Sequence, residues 1–262
     1  MLLVGSPSVQ PMDKTKLLTL GKEAVQAVQS LGLRSSTHHA AIVEQLANQP
    51  EQTQDVLASI VRHQTLLDEL NIIATSFRRR LYEIEVHSVD EFVEGIAKLC
   101  KESRFGNCGE QAVLAAKFLK DKKGVTNFAI VGMDLVEPKE LEHYAKERRN
   151  ILKAPWKDHT FLVLGIDPNA ELTQPETWGR NAIIVDPWMG LVASVPDGLE
   201  QMRKFFSASS QAQMFFHHWL DDVDLPFKDH DSGYDWSNQV RAQTLQLPEH
   251  QQTPPKRLFV IG

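Results

Sequence analysis

Cysteine is scarce: Cys100 and Cys108 are the two thiols in 262 residues, too few for a disulfide framework and at a spacing that fits no four-ligand zinc pattern. The expected setting is reducing. Long apolar runs are missing too. No stretch approaches the roughly 20 residues that span a bilayer. The opening MLLVGSPSVQP has an apolar run of only Met1 to Val4 with no basic residue before it, which is not the pattern of a secretory signal. Positive charge is in deficit, 28 Lys and Arg against 34 Asp and Glu, so the average surface repels phosphate backbones and anionic lipid. Neither nucleic acid binding nor membrane insertion is expected. Gly5, Gly21 and Gly32 belong to no GxGxxG or P-loop pattern, and no HExxH pair exists, so no cofactor and no metal is expected.

What is present is an ordinary globular composition, 42% hydrophobic and 24% charged, which excludes a disordered chain. From Pro11 to about Glu102 helical periodicity follows helical periodicity, punctuated by Gly32 and Pro50. Leu17, Leu18, Val25 and Val28 form one stripe, and Ile42, Val43 and Leu46 the next. A longer pattern runs through Val56, Ile60, Leu67, Leu70, Ile72, Ile73 and Phe77 to Arg78, Arg79 and Arg80. That basic triplet reads as a solvated last turn of a helix. Ser88 with Glu91 is a capping box, and Phe92, Ile96 and Cys100 then share one face, which assigns Cys100 to the core.

Past Asn127 the pattern changes. Phe128 to Leu135, Thr160 to Ile166 and Ala182 to Val185 are short runs of Val, Ile, Leu and Phe between turn residues, the signature of strands. Lys139 to Ile151 and Pro196 to Leu220 are expected as helices, and the acidic, proline-broken tail from Asp221 as loop. The class is α+β, with a helical N-terminal region over 1–102 and a core with a loop-rich tail over 103–262.

Three segments carry chemistry. In Gly106-Asn107-Cys108-Gly109-Glu110-Gln111 a loop turns into a mostly apolar helix. Asn107 is a favoured N-cap and Glu110 stands three residues on, so Cys108 falls in the first helical turn, where free amides and the helix dipole favour an anionic sulfur. In Asp158-His159-Thr160-Phe161 a histidine immediately precedes an apolar strand. In Ile183-Ile184-Val185-Asp186-Pro187-Trp188 a carboxylate ends one. If these two strands pair antiparallel, His159 comes to lie beside Asp186, ahead of the competing carboxylates Asp158 and Asp167. Nucleophile, base and orienter are then Cys108, His159 and Asp186. Trp188 is the expected pocket wall.

The segments GNCGEQA, DHTFLVLG and IIVDPW, in that order, resemble the Cys-His-Asp core of papain-like and transglutaminase-like proteins, including bacterial effector and toxin deamidases and proteases. The likeness covers Gly106 to Gly190. It implies a central helix carrying the nucleophile packed on an antiparallel sheet that carries the base and the orienter, and a reaction at an amide carbonyl of a protein or peptide. The two cysteines and the N-terminal pattern make the expected location the cytoplasm, or a host cytosol reached without a Sec signal. One departure concerns the oxyanion. The resemblance calls for glutamine six residues before the cysteine, whereas Glu102 stands here and accepts when ionised. The Cys108 backbone N–H is one expected donor, with Asn107 or Arg104 as side-chain candidates for the other.

Protease, glutamine deamidase and transglutaminase share this acyl-transfer chemistry and are not separated by sequence. The competing expectation is a non-catalytic protein-binding module on a degenerate version of the same fold, with the helical N-terminal region as its partner surface. His217 and His218 with Asp221 and Asp222, and Asp229 with His230 and Asp231, read as polar surface rather than as ligands.

Overall fold

The computed structural model describes residues 12–84, 88–147 and 157–218. Four helices come first: α1 (Lys14–Gln29), α2 (Ser36–Ala47), α3 (Gln54–Tyr82) and α4 (Val89–Ser103). Their starts follow local rules. Ser35, Thr53 and Ser88 each accept a backbone N–H from the first turn, at 3.2, 3.3 and 3.1 Å respectively. On α4 the face anticipated from spacing is inside, with Phe92, Ile96 and Cys100 all buried. On α3 only one face of the second half behaves this way. Leu70, Ala74 and Phe77 are buried, whereas Leu57, Val61 and Ile72 face solvent. Helix α3 also packs along α2, with His39 Nδ1 2.9 Å from His63 Nδ1.

Helix α5 (Cys108–Lys123) follows, and then the sheet: β1 (Phe128–Val136), β2 (Lys157–Leu164), β3 (Ile183–Asp186), β4 (Leu191–Ser194) and β5 (Gln213–His218), with α6 (Leu141–Glu147) after β1 and α7 (Val195–Phe205) after β4. The five strands lie in the order β4-β3-β2-β1-β5, antiparallel throughout. The fold is α+β, as expected. Among the described residues no helix is long and apolar enough to cross a membrane.

Period-2 alternation splits the sheet into two faces. Leu162, Leu164, Ile183 and Val185 point to α1 and α5, joining a core that includes Leu17, Val25, Val113 and Leu119. Phe161, Val163 and Ile184 point the other way, to Trp178, Val195 and Met202. Helix α1 reaches the sheet because position 21 is glycine: a Cβ there would sit 2.9 Å from methyls of both Val185 and Val192. The N-terminal helices therefore share a core with the strands.

One helical expectation is corrected. The helix foreseen from Pro196 to Leu220 stops at Phe205, and Gln213–His218 is a strand. The helix ends because Ser207 takes a left-handed φ of 51° and the serines that follow favour turns over helix interior. The chain then pairs with β1, burying Phe216 opposite Met133. Strand β4 was not foreseen, being only four residues long. The tail from Asp221 and the end of the helix expected over Lys139 to Ile151 lie outside the described residues.

Candidate active site

Residue 108 is the first residue of α5. The Asn107 N–H donates to Glu110 Oε2 at 2.9 Å, the Glu110 half of the capping box. Gln111 Nε2 donates to the Gly106 carbonyl at 2.9 Å and fixes the loop from the other side. The Cys108 N–H has no acceptor within the helix, as for any first-turn amide. Cys108 is half-buried and Cys100 wholly buried. Burial, with the charge of Glu110 behind it, pushes the Cys100 thiol up, which leaves Cys100 inert.

His159 and Asp186 meet through strand register. Strand β3 pairs with β2 from Leu164–Ile183 to Leu162–Val185. Continuing that register sets Asp186 across from Phe161, with His159 one pleat further along on the same face. The result is a contact of 2.6 Å between His159 Nε2 and Asp186 Oδ2, with both side chains almost fully buried. The carboxylate is itself held, because Oδ1 accepts the Met189 N–H at 3.1 Å in a turn that Gly190 closes with a φ of 69°. Burial by itself lowers the His159 pKa. The Asp186 charge, its hydrogen bond and then the Cys108 sulfur override that and push it up to about 10. The imidazole thus touches a carboxylate directly, and the Cys108 sulfur is near enough to raise its pKa as well. Because Nε2 faces Asp186, Nδ1 is the nitrogen open to the thiol proton.

Trp188 roofs the imidazole. Its ring centroid is 4.9 Å from that of His159, and Phe206 closes a second side at 5.4 Å. The indole N–H donates to Ser35 Oγ at 2.8 Å, which ties this wall to the start of α2. His38, on the first turn of α2, packs edge-on against Trp188 at 5.0 Å. Burial first and the charge of His63 second lower the His38 pKa, against the Trp188 backbone and Asp186.

The structure thus brings together Cys108, His159, Asp186, Asn107 and Trp188. It draws other candidates elsewhere. Arg104 donates to the Leu31 carbonyl at 2.7 Å, and Glu102 forms an exposed ion pair with Arg80. Asp158 is exposed, and Asp167 accepts the Asn169 N–H within its own turn. His217 packs over Gly132, its Nδ1 3.9 Å from Asp134. Among the described residues no group of three His, Cys, Asp or Glu could hold a metal ion; residues 221–222 and 229–231 lie outside them.

Sequence reasoning missed three neighbours. Ser35 and His38 arrive from a helix some 70 residues before Cys108, and an N-cap serine carries no signal of what it will touch. Arg78 does not belong with a solvated triplet: Nη2 lies 3.8 Å from the buried Glu110 Oε1. Its position on the Leu70-Ala74-Phe77 side of α3 was the available clue. Searches against models of known families, curated proteins and solved structures return no match for this chain.

Proposed function

We propose that this chain is a cysteine-nucleophile acyl-transfer enzyme acting on amide bonds of proteins or peptides. Cys108 attacks the carbonyl carbon as the thiolate, its proton held on Nδ1 of His159, while Asp186 keeps the ring oriented and stabilises the imidazolium. The tetrahedral oxyanion accepts the Cys108 N–H, with the Asn107 side chain as the second candidate donor. Collapse expels the amine or ammonia, which takes the proton from His159 and leaves a thioester on Cys108. Water then gives peptide hydrolysis or glutamine deamidation, and a second amine gives transamidation.

One observation carries this reading: a buried imidazole in contact with a carboxylate at 2.6 Å also senses the sulfur at a helix N-terminus. The placement among papain-like or transglutaminase-like proteins of the bacterial effector or toxin kind belongs to the same proposal. It is supported by the three ordered motifs and by a thiol-bearing helix laid on an antiparallel sheet. The test is incubation with a host-cell lysate, comparing wild type with Cys108→Ser and scoring cleaved peptides, deamidated glutamines and cross-links by mass spectrometry. Products that depend on Cys108 are expected, and their type names the subclass. Identical peptide maps would remove the proposal.

A further inference from the structure

The hydroxyl of Ser35 stands at the junction of three elements. It donates to Asn107 Oδ1 at 2.9 Å, beside the nucleophile, and accepts the Trp188 indole N–H at 2.8 Å, above the base. It also accepts the His38 N–H at 3.2 Å as the cap of α2. A hydroxyl has one proton and two lone pairs, and with Thr37 Oγ1 also 3.1 Å away its bonding capacity is fully taken up. Ser35, Asn107 and Trp188 are each buried, so the bonds are not shared with bulk water. The chemistry of the two outer partners is opposite. The Asn107 carbonyl oxygen requires a donor and the indole requires an acceptor, and a single hydroxyl satisfies both. Ser36 Oγ and the Thr37 N–H reach the same Asn107 oxygen only at 3.4 Å.

We propose that Ser35 is a positioning residue for acyl transfer, locking the N-cap of the nucleophile's helix to the indole that roofs His159. This rests on the reading of Cys108 and His159 as nucleophile and base. Its consequence is that the N-terminal helical region is a working part of the active site. Removing the hydroxyl frees the indole and takes its nearest donor from Asn107, leaving only the 3.4 Å contacts, so thiol and imidazole lose their common reference. Small misplacements of reacting groups have large kinetic effects.

The experiment uses the full chain and iodoacetamide, following Cys108 labelling against pH by mass spectrometry. Ser35→Ala is expected to slow labelling at pH 6 by roughly tenfold, the effect of one buried hydrogen bond, and to move the indole N–H resonance of Trp188 by nitrogen-edited NMR. Ser35→Thr keeps donor and acceptor on extended backbone, φ −137°, and is expected to restore both readouts. Ser88→Ala deletes a helix cap of the same kind on α4 and is the stability control, expected to label at the wild-type rate. Wild-type labelling and pH profile in Ser35→Ala, or equal slowing in Ser88→Ala, would overturn the positioning role while leaving the enzyme reading intact. Cys108 labelling no faster than a free thiol in the wild type at pH 6 would overturn both.

Discussion

Replacing Asp186 by asparagine separates charge from shape in the candidate site. Asp186 Oδ2 faces His159 Nε2 at 2.6 Å, and Oδ1 accepts from Met189 N–H at 3.1 Å. In Asp186→Asn the amide oxygen keeps the Met189 bond, which turns the NH2 group toward His159. An amide donor needs an acceptor, so Nε2 loses its proton and the neutral ring carries it on Nδ1 instead. That tautomer cannot accept the thiol proton. The charge that opposed burial is also gone, so the His159 pKa is expected to fall from about 10 to below the ordinary histidine value of about 6.5. Both changes remove the base, whose contribution is typically ~10²–10⁴-fold. Cys108 labelling by iodoacetamide at pH 6 should therefore slow by at least about a hundredfold, with the His159 titration followed by NMR on the same sample. Two results would refute the reasoning. One is a His159 titration still near 10 in the variant. The other is unchanged Cys108 labelling in Asp186→Asn when His159→Ala abolishes it.

Other expectations follow from the same contacts. Since the folded His159 pKa lies above its unfolded value, its contribution to stability is complete below about pH 6.5 and declines as pH rises through about 10. Denaturant unfolding at stepped pH should show that loss in wild type and not in Asp186→Asn. Cys100, with its thiol buried and pushed up, should resist alkylation in the native protein and label only when the chain is unfolded by denaturant; fast native labelling would contradict the core packing. Gly21→Val should drive its added methyls into Val185 and Val192, destabilising by about 1–3 kcal/mol in chemical denaturation. An unchanged midpoint there would mean that α1 does not need its close approach to the sheet.

Legibility followed the range of the signal. The start of α5 could be read because capping chemistry is written within four residues, Asn107 to Glu110. Strand β2 could be read because its apolar residues form a short unbroken run. The segment Gln213–His218 was misjudged as helix because its Met and Phe residues suit either state, and the pairing with β1 that decides between them is absent from the local sequence. Ile72 on α3 misled in the opposite way, since it has a core-like identity but faces solvent.

From the chain alone came the residue types of the candidate nucleophile, base and orienter, their order, the helix end that carries Cys108 and the strand end that carries Asp186, because caps and periodicities act over a turn or two; His159, expected just before its strand, lies inside β2. Tertiary structure alone decided their company. Ser35 reaches Asn107 across 72 positions and Trp188 across 153, and Arg78 reaches Glu110 from another helix. Such contacts form only once burial has brought distant elements together, and short-range sequence patterns carry no record of that arrangement.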